Sequence, residues 1–134
     1  MEDPFDASSS EWLETAWSNF ERACRAIKSE DYAQTVFYSH HTVETAVKAY
    51  LTSKGYKVLH THDLKILVEE ASKISLKIDV ESKDLEELSM HYFATRYPDA
   101  RKRLKIPKEY YTRKVALKFL DLAYKILILV EEGL

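Results

Sequence analysis

Two glycines and three prolines are all that the 134 residues contain, and this scarcity limits the choice of fold more than any other feature. Sheet proteins rich in hairpins draw on both residues for their tight turns, so helices are favoured. Apolar spacing agrees. Leu13, Trp17, Phe20, Cys24 and Ile27 recur at intervals of four and three, which predicts a first helix over residues 10–28, capped by Ser10 or a nearby serine. Ser29-Glu30-Asp31 interrupts the pattern, and a second helix over 31–54 follows, with a stripe of Val36, His40, Val43, Val47, Tyr50 and Leu51 and with Gly55 as its stop.

Thr61 reads as the cap of a third helix, with Asp63 in its first turn, where a negative charge suits the helix dipole. Leu76, Ile78 and Val80 alternate with polar residues but have no second strand to pair with, so they read as packed loop. Ser82 is the expected cap of a fourth helix, which Pro98 should end. The last helix is expected over 109–132. Between Val115 and Val130 its polar residues are only Lys118, Asp121 and Lys125. Those three charges rule out a membrane span, and so narrow a polar stripe fits a helix central to a bundle or shared with a second subunit.

The expected architecture is all-α: an antiparallel up-and-down bundle of four to five helices, with residues 1–9 as an acidic lead and 10–134 as one domain. Hydrophobic residues at 46% and charged residues at 31% suit a folded domain with a solvated exterior. Cys24 is the only cysteine, which excludes an internal disulfide and a cysteine zinc site and points to a reducing, cytoplasmic setting. The lead MEDPFDASSS lacks the apolar stretch of a signal peptide.

Several polar residues need separate reasoning. His40 falls on the apolar seam of the second helix, and Glu44 and Lys48 stand four residues apart, with the acid on the favoured N-terminal side. The plain reading is a satisfied buried histidine beside a surface ion pair; the sharper one places Glu44 and Lys48 in a groove at a subunit or ligand interface. No metal is expected, because His40 and His41 project about 100° apart on a helix. His91 and Arg96, five residues apart, are candidates for an arginine–histidine pair that cleaves RNA, but they project about 140° apart unless the helix ends first.

Walker-type, dinucleotide-binding and serine-hydrolase motifs are absent, and no cofactor is implied. The strongest charge feature spans 96–114. Arg96, Arg101, Lys102, Arg103, Lys105, Lys108, Arg113 and Lys114 face only Asp99 and Glu109, with Tyr97, Tyr110 and Tyr111 interleaved. Cations beside rings suit phosphate and base recognition. A solvated loop balancing acidic regions elsewhere is the alternative, since the net charge is only -2.

Three segments in this order resemble a known family. YSHHTVETAVKAYL at 38–51 carries Glu44 and Lys48, THDL at 61–64 carries His62 and Asp63, and RYPD at 96–99 carries Arg96 and Tyr97. Together with Trp12, Ala16 and Ala23 they are similar to HEPN domains, in the small stand-alone form found beside minimal nucleotidyltransferases. The resemblance implies a helical bundle, commonly a homodimer, in toxin–antitoxin or defence-like pairs, with Glu44, Lys48, His62 and Asp63 lining a groove. Many HEPN proteins are metal-independent ribonucleases with an arginine followed four to six residues later by a histidine. Here no arginine is followed by a histidine at that distance, so a non-catalytic module binding nucleotide or RNA is expected. A ribonuclease with a rearranged His91/Arg96 site, or a purely structural dimer, is the alternative.

Overall fold

A computed structural model describes residues 5–134; the first four residues of the acidic lead lie outside the described part. The order is α1 (Ser9–Lys28), α2 (Tyr32–Ser53), α3 (Leu64–Lys73), α4 (Ser82–Ala94), α5 (Pro98–Arg103), a 3-10 turn (Lys108–Tyr110) and α6 (Arg113–Gly133). No strand occurs among the described residues, and Leu76, Ile78 and Val80 form loop packed on the core, as expected. The short helix α5 is the addition to the expected set: α4 stops at Ala94, ahead of Pro98, and Pro98 serves at the first turn of α5, where its missing N–H costs nothing.

The second helix occupies the middle. Every residue from Thr42 to Leu51 is buried, because α1 and α6 pack along it and α3 and α4 cover the rest. Ser9 Oγ donates to the Ala49 carbonyl, so the start of α1 meets the end of α2 and the two run antiparallel. Leu64, Leu67, Leu88, Phe119, Ile126 and Leu127 complete the core. Thr35, Ser39, Thr42 and Thr45 bury their hydroxyls on α2 by donating to the carbonyl four residues back, a local solution for polar groups with no water at hand. None of the helices is long and apolar enough to cross a membrane.

Caps differ from the expected ones in two places. A serine caps α1 as expected, Ser8, in a reciprocal capping box with Glu11. Asp63, not Thr61, caps α3, accepting from the Lys65 and Ile66 amides, while Thr61 Oγ1 accepts from the Asp63 amide one step earlier. Glu81 precedes α4 without a side-chain cap bond, so Ser82 is its first helical residue rather than its cap. The last helix starts at Arg113 under a Thr112 cap.

A chain with two glycines still needs left-handed residues to end its helices. Glu30, Ser75, Lys105 and Gly55 hold that conformation after α1, α3, α5 and α2, at φ 60°, 81°, 56° and 81°. Each is followed by an amide bonded to a carbonyl five residues back, such as Tyr56 to Leu51 and Leu76 to Ala71. Three of these four sites accept the strain of a side chain, about 1 kcal/mol each. Ser75→Gly is therefore expected to raise stability by up to about 1 kcal/mol, and Gly55→Ala to lower it by a similar amount, both read as shifts of the urea midpoint at constant slope. Nothing lies within 4 Å of a Cβ built on Gly55, so its effect reports backbone strain alone.

Candidate functional site

The loop over residues 54–63 turns back along α2 and sets His62 beside the middle of that helix. There His62 Nδ1–H donates to Glu44 Oε1 at 2.9 Å, and Lys48 Nζ donates to Glu44 Oε2 at 3.0 Å. His40 Nε2 lies 3.0 Å from the His62 carbonyl, which can only accept, so Nε2 carries the proton. Its Nδ1 is then a bare lone pair, fully buried, without a hydrogen-bond partner among the described residues and 3.8 Å from Glu44 Oε1.

Glu44 and Lys48 are each only 5% exposed, which corrects the expectation of a surface pair. The i,i+4 pairing forms as the spacing predicts, but α2 has no solvent face at this level. Burial pushes the Glu44 carboxyl up; the His62 hydrogen bond and Lys48 more than offset it, holding the group below its ordinary value. Each carboxylate oxygen thus accepts from one donor.

Tyr92 on α4 joins this network to the second group of sequence-marked residues. Its ring stacks on His62 at 4.0 Å and 15°. Arg96 places its guanidinium 4.7 Å from the centroids of Tyr92 and Phe37 and 5.1 Å from that of Tyr97, while its Nε donates to the Tyr92 carbonyl at 3.2 Å. His41 meets Phe37 edge-on at 4.6 Å. Glu44, Lys48, His62, Arg96 and Tyr97 are therefore linked through Tyr92 in one chain of contacts that runs from buried to exposed, while Asp63, expected beside them, is spent on capping α3. Phe37 and Tyr92 escape a sequence reading as site residues, because on their own helices they look like ordinary apolar positions.

His91 is elsewhere. It is 2% exposed, shares a 3.0 Å hydrogen bond with the Tyr111 hydroxyl and stacks on Tyr110 at 5.0 Å. The charges that act on it are Glu87 and Lys118, whereas Arg96 acts on His41. The fold does not bring His91 and Arg96 together as a pair, although α4 ends at Ala94, ahead of Arg96: His91 turns inward to Tyr110 and Tyr111, while Arg96 turns to the rings of Phe37, Tyr92 and Tyr97. Burial pushes the Tyr111 phenol up to about 12, so the hydroxyl keeps its proton.

Beyond Arg96 the basic residues divide. Arg101 spends its guanidinium on the Ala94 carbonyl at the end of α4. Arg103 is exposed and 3.8 Å from Asp99. Lys102 and Lys105 are exposed and have no ion-pair partner among the described residues. Next to them a cleft of about 430 Å³ is lined by Met90, Phe93, Tyr97, Arg103 and Leu104 among others. Phe93 is 53% and Tyr97 47% exposed.

His40, His41 and Glu44 bring one potential metal-ligand atom each within 4.8 Å of one another, closer than their 100° helical separation suggested. Lys48 already answers the Glu44 charge, and Arg96 adds a second cation nearby. The cluster reads better as a polar network than as a cation site.

Comparison with known proteins gives one consistent picture. The family model described as HEPN domain matches residues 9–133. The crystal structure of TT1696 from Thermus thermophilus superposes with a TM-score of 0.76 at 32% identity, covering 94% of this chain and 98% of that one. The crystal structure of ST0689, an archaeal HEPN homologue, gives 0.66 at 23% identity over 95% of this chain and 98% of that one, a likeness of fold. None of the curated proteins matches the chain.

Removing one member of a buried ion pair strands the other, at a cost on the order of 3 kcal/mol. Glu44→Ala is expected to lose about that much in urea denaturation, and Glu44→Leu with Lys48→Met to recover most of it. A second expectation concerns pH. Burial depresses both His40 and His91 to about 4. Between pH 6.5 and about 4 the unfolded chain takes up protons that the folded chain refuses, so stability falls as pH falls through that window. Each histidine contributes on the order of 3 kcal/mol to the loss. Glu44, depressed as well, loses its share at lower pH, as it protonates. Urea melts of His91→Gln should show a shallower decline than the parent chain.

Proposed function

The chain belongs to the HEPN domain family, and we propose that it is a non-catalytic module binding nucleotide or RNA, acting as a homodimer beside a small nucleotidyltransferase. The observation that carries the reading is the exposed cationic and aromatic face centred on Arg96 and Tyr97. Arg96 rests on three rings, and the side chains of Phe93 and Tyr97 stand open at the edge of the adjacent cleft. Arg103 lines the same cleft, with Asp99 3.8 Å from it, and Lys102 and Lys105 are exposed next to it in sequence. A strand laid along this face meets cations for phosphates and rings for bases, the two elements of single-strand binding.

The non-catalytic part is supported by what the histidines do. A general acid–base group must exchange a proton near the working pH, and His91 is buried, neutral and bonded to Tyr111. The homodimer draws support from α6, whose outer side carries a partly exposed stripe of Leu117, Leu120, Tyr124 and Ile128 at helical spacing. The nucleotidyltransferase, and the toxin–antitoxin or defence-like pairing, rest on the family resemblance. The reducing, cytoplasmic setting rests on the lone Cys24.

Equilibrium binding of a labelled single-stranded RNA at two salt concentrations tests the nucleic-acid reading. Affinity should fall steeply with salt. The Lys102→Ala, Arg103→Ala, Lys105→Ala variant should flatten the log–log slope by about 2, at roughly 0.7 per phosphate contact. Tyr97→Ala should cost about 1–3 kcal/mol at either salt. Absent affinity, or affinity indifferent to salt and to the triple variant, overturns the proposal.

A further inference from the structure

Helix α6 buries one side in the bundle through residues such as Ala116, Phe119, Ala123 and Ile126. Leu117, Leu120, Tyr124 and Ile128 fall within about 80° of arc on another side, which the bundle covers only in part. Leu117 is 38% and Tyr124 48% exposed, and Leu120 and Ile128 are half-buried. Phe20 of α1 lies 5.3 Å from Tyr124 between ring centroids, and Trp17 meets Phe20 edge-on, so half-buried rings continue the apolar strip onto α1.

A charged row runs beside the strip. Lys114, Asp121, Lys125 and Glu132 lie within about 40° of arc, and all four are exposed. Lys114, Asp121 and Glu132 have no ion pair among the described residues. Lys125 gives one hydrogen to the Asp79 carbonyl at 2.6 Å and keeps two more to give. From the N-terminus the signs run plus, minus, plus, minus.

That order selects what fits this face. A second copy laid parallel and in register sets each charge against its like. Laid antiparallel, about a two-fold axis passing between Leu122 and Ala123, it sets each against its opposite. At 1.5 Å per residue, Lys114 and Glu132 stand about 13 and 14 Å from that axis on opposite sides, and Asp121 and Lys125 about 2 and 4 Å. The same axis brings Leu117 against Ile128, each about 8 Å away, and Leu120 against Tyr124. Arg113 and Glu131, exposed at the two ends of the strip, match in the same way. A face that complements its own reverse, in apolar positions and in charge, is what an isologous contact requires. An unrelated partner owes nothing to such symmetry.

We propose that a second copy of this chain docks on α6, its own α6 antiparallel to the first, with the apolar strip buried and with Lys114–Glu132 and Asp121–Lys125 pairs joining the two copies. The proposal rests on the homodimer reading above and adds the surface and the orientation. Burial of the strip supplies the hold, while flanking charge pairs fix direction more than affinity. Phe37, Tyr92, Arg96 and Tyr97 take no part, so the seam and the cationic face share no residue.

Sedimentation equilibrium of the full chain over a range of concentrations measures the dimer constant. Leu117→Asp with Tyr124→Asp, both at exposed positions, should keep the helical circular dichroism and weaken the dimer by roughly a hundredfold or more. Lys114→Glu should weaken it severalfold, and adding Glu132→Lys should restore it. Spin labels on Lys114→Cys, with Cys24→Ser, should lie at least about 25 Å apart across the dimer, against about 10 Å for parallel helices. A chain that stays monomeric at millimolar concentration overturns both this proposal and the homodimer reading. A dimer that survives the double aspartate variant, a constant indifferent to Lys114→Glu, or a label distance near the parallel value overturns the seam and leaves the homodimer standing. Should the aspartate variant lose its helical signal, the charge exchange and the label distance decide.

Discussion

Much of this structure depends on the burial of one carboxylate. Glu44 sits in the stretch of α2, from Thr42 to Leu51, that has no solvent side, so its charge has to be met inside the protein. Lys48 from the same helix and His62 from the returning loop meet it. An isolated ion there would cost several kcal/mol, and this makes the loop's path specific. His62 must arrive at Glu44, its carbonyl must arrive at His40, and the next residue, Asp63, then stands where α3 begins and caps it. A local salt bridge thus sets the register of a long-range contact.

From His62 the constraint passes outward. The imidazole ring is half exposed and lies flat on Tyr92, which also meets His40, His41, Phe37, Phe93 and Arg96. Arg96 is fixed by rings rather than by an acid, so its positive charge stays uncompensated at the surface. This explains how a chain of net charge -2 can present a cationic corner: its ion pairs involving Lys65, Lys73 and Lys118 lie elsewhere, on α3, α4 and α6.

The helical stripes and most of the stop signals are readable in the sequence, because periodicity reports which face is buried when a helix has two faces. It fails where a helix has one environment all round. On α2 the pattern Glu44–Lys48 matches a solvated pair, and only the packing of α1, α3, α4 and α6 around it shows otherwise. The same limit hides Phe37 and Tyr92, whose spacing is that of core residues although their rings meet Arg96. The six residues of α5 escape for a different reason: a run this short and this basic has no apolar stripe, and a proline suggests an end as readily as a beginning. Thr61 and Asp63 compete as caps because both side chains can accept from a helix amide, and two residues of register are below what spacing resolves.

Histidine use ties fold to function. Of the five histidines, His40 and His91 are depressed to about 4 by burial, and His41 is lowered for the same reason. His62 has its Nδ1 on Glu44. An imidazole buried among tyrosines and carbonyls gains packing and a fixed tautomer but gives up proton exchange at neutral pH, which is the property a ribonuclease needs from it. Recognition makes no such demand. It needs charge and rings held in place, and Arg96, pinned over Phe37, Tyr92 and Tyr97, supplies both without a proton ever moving. The histidines buried most deeply in this fold, His40 and His91, are therefore the ones least free for acid–base chemistry, whereas the half-exposed His62 is tied to the core through Glu44.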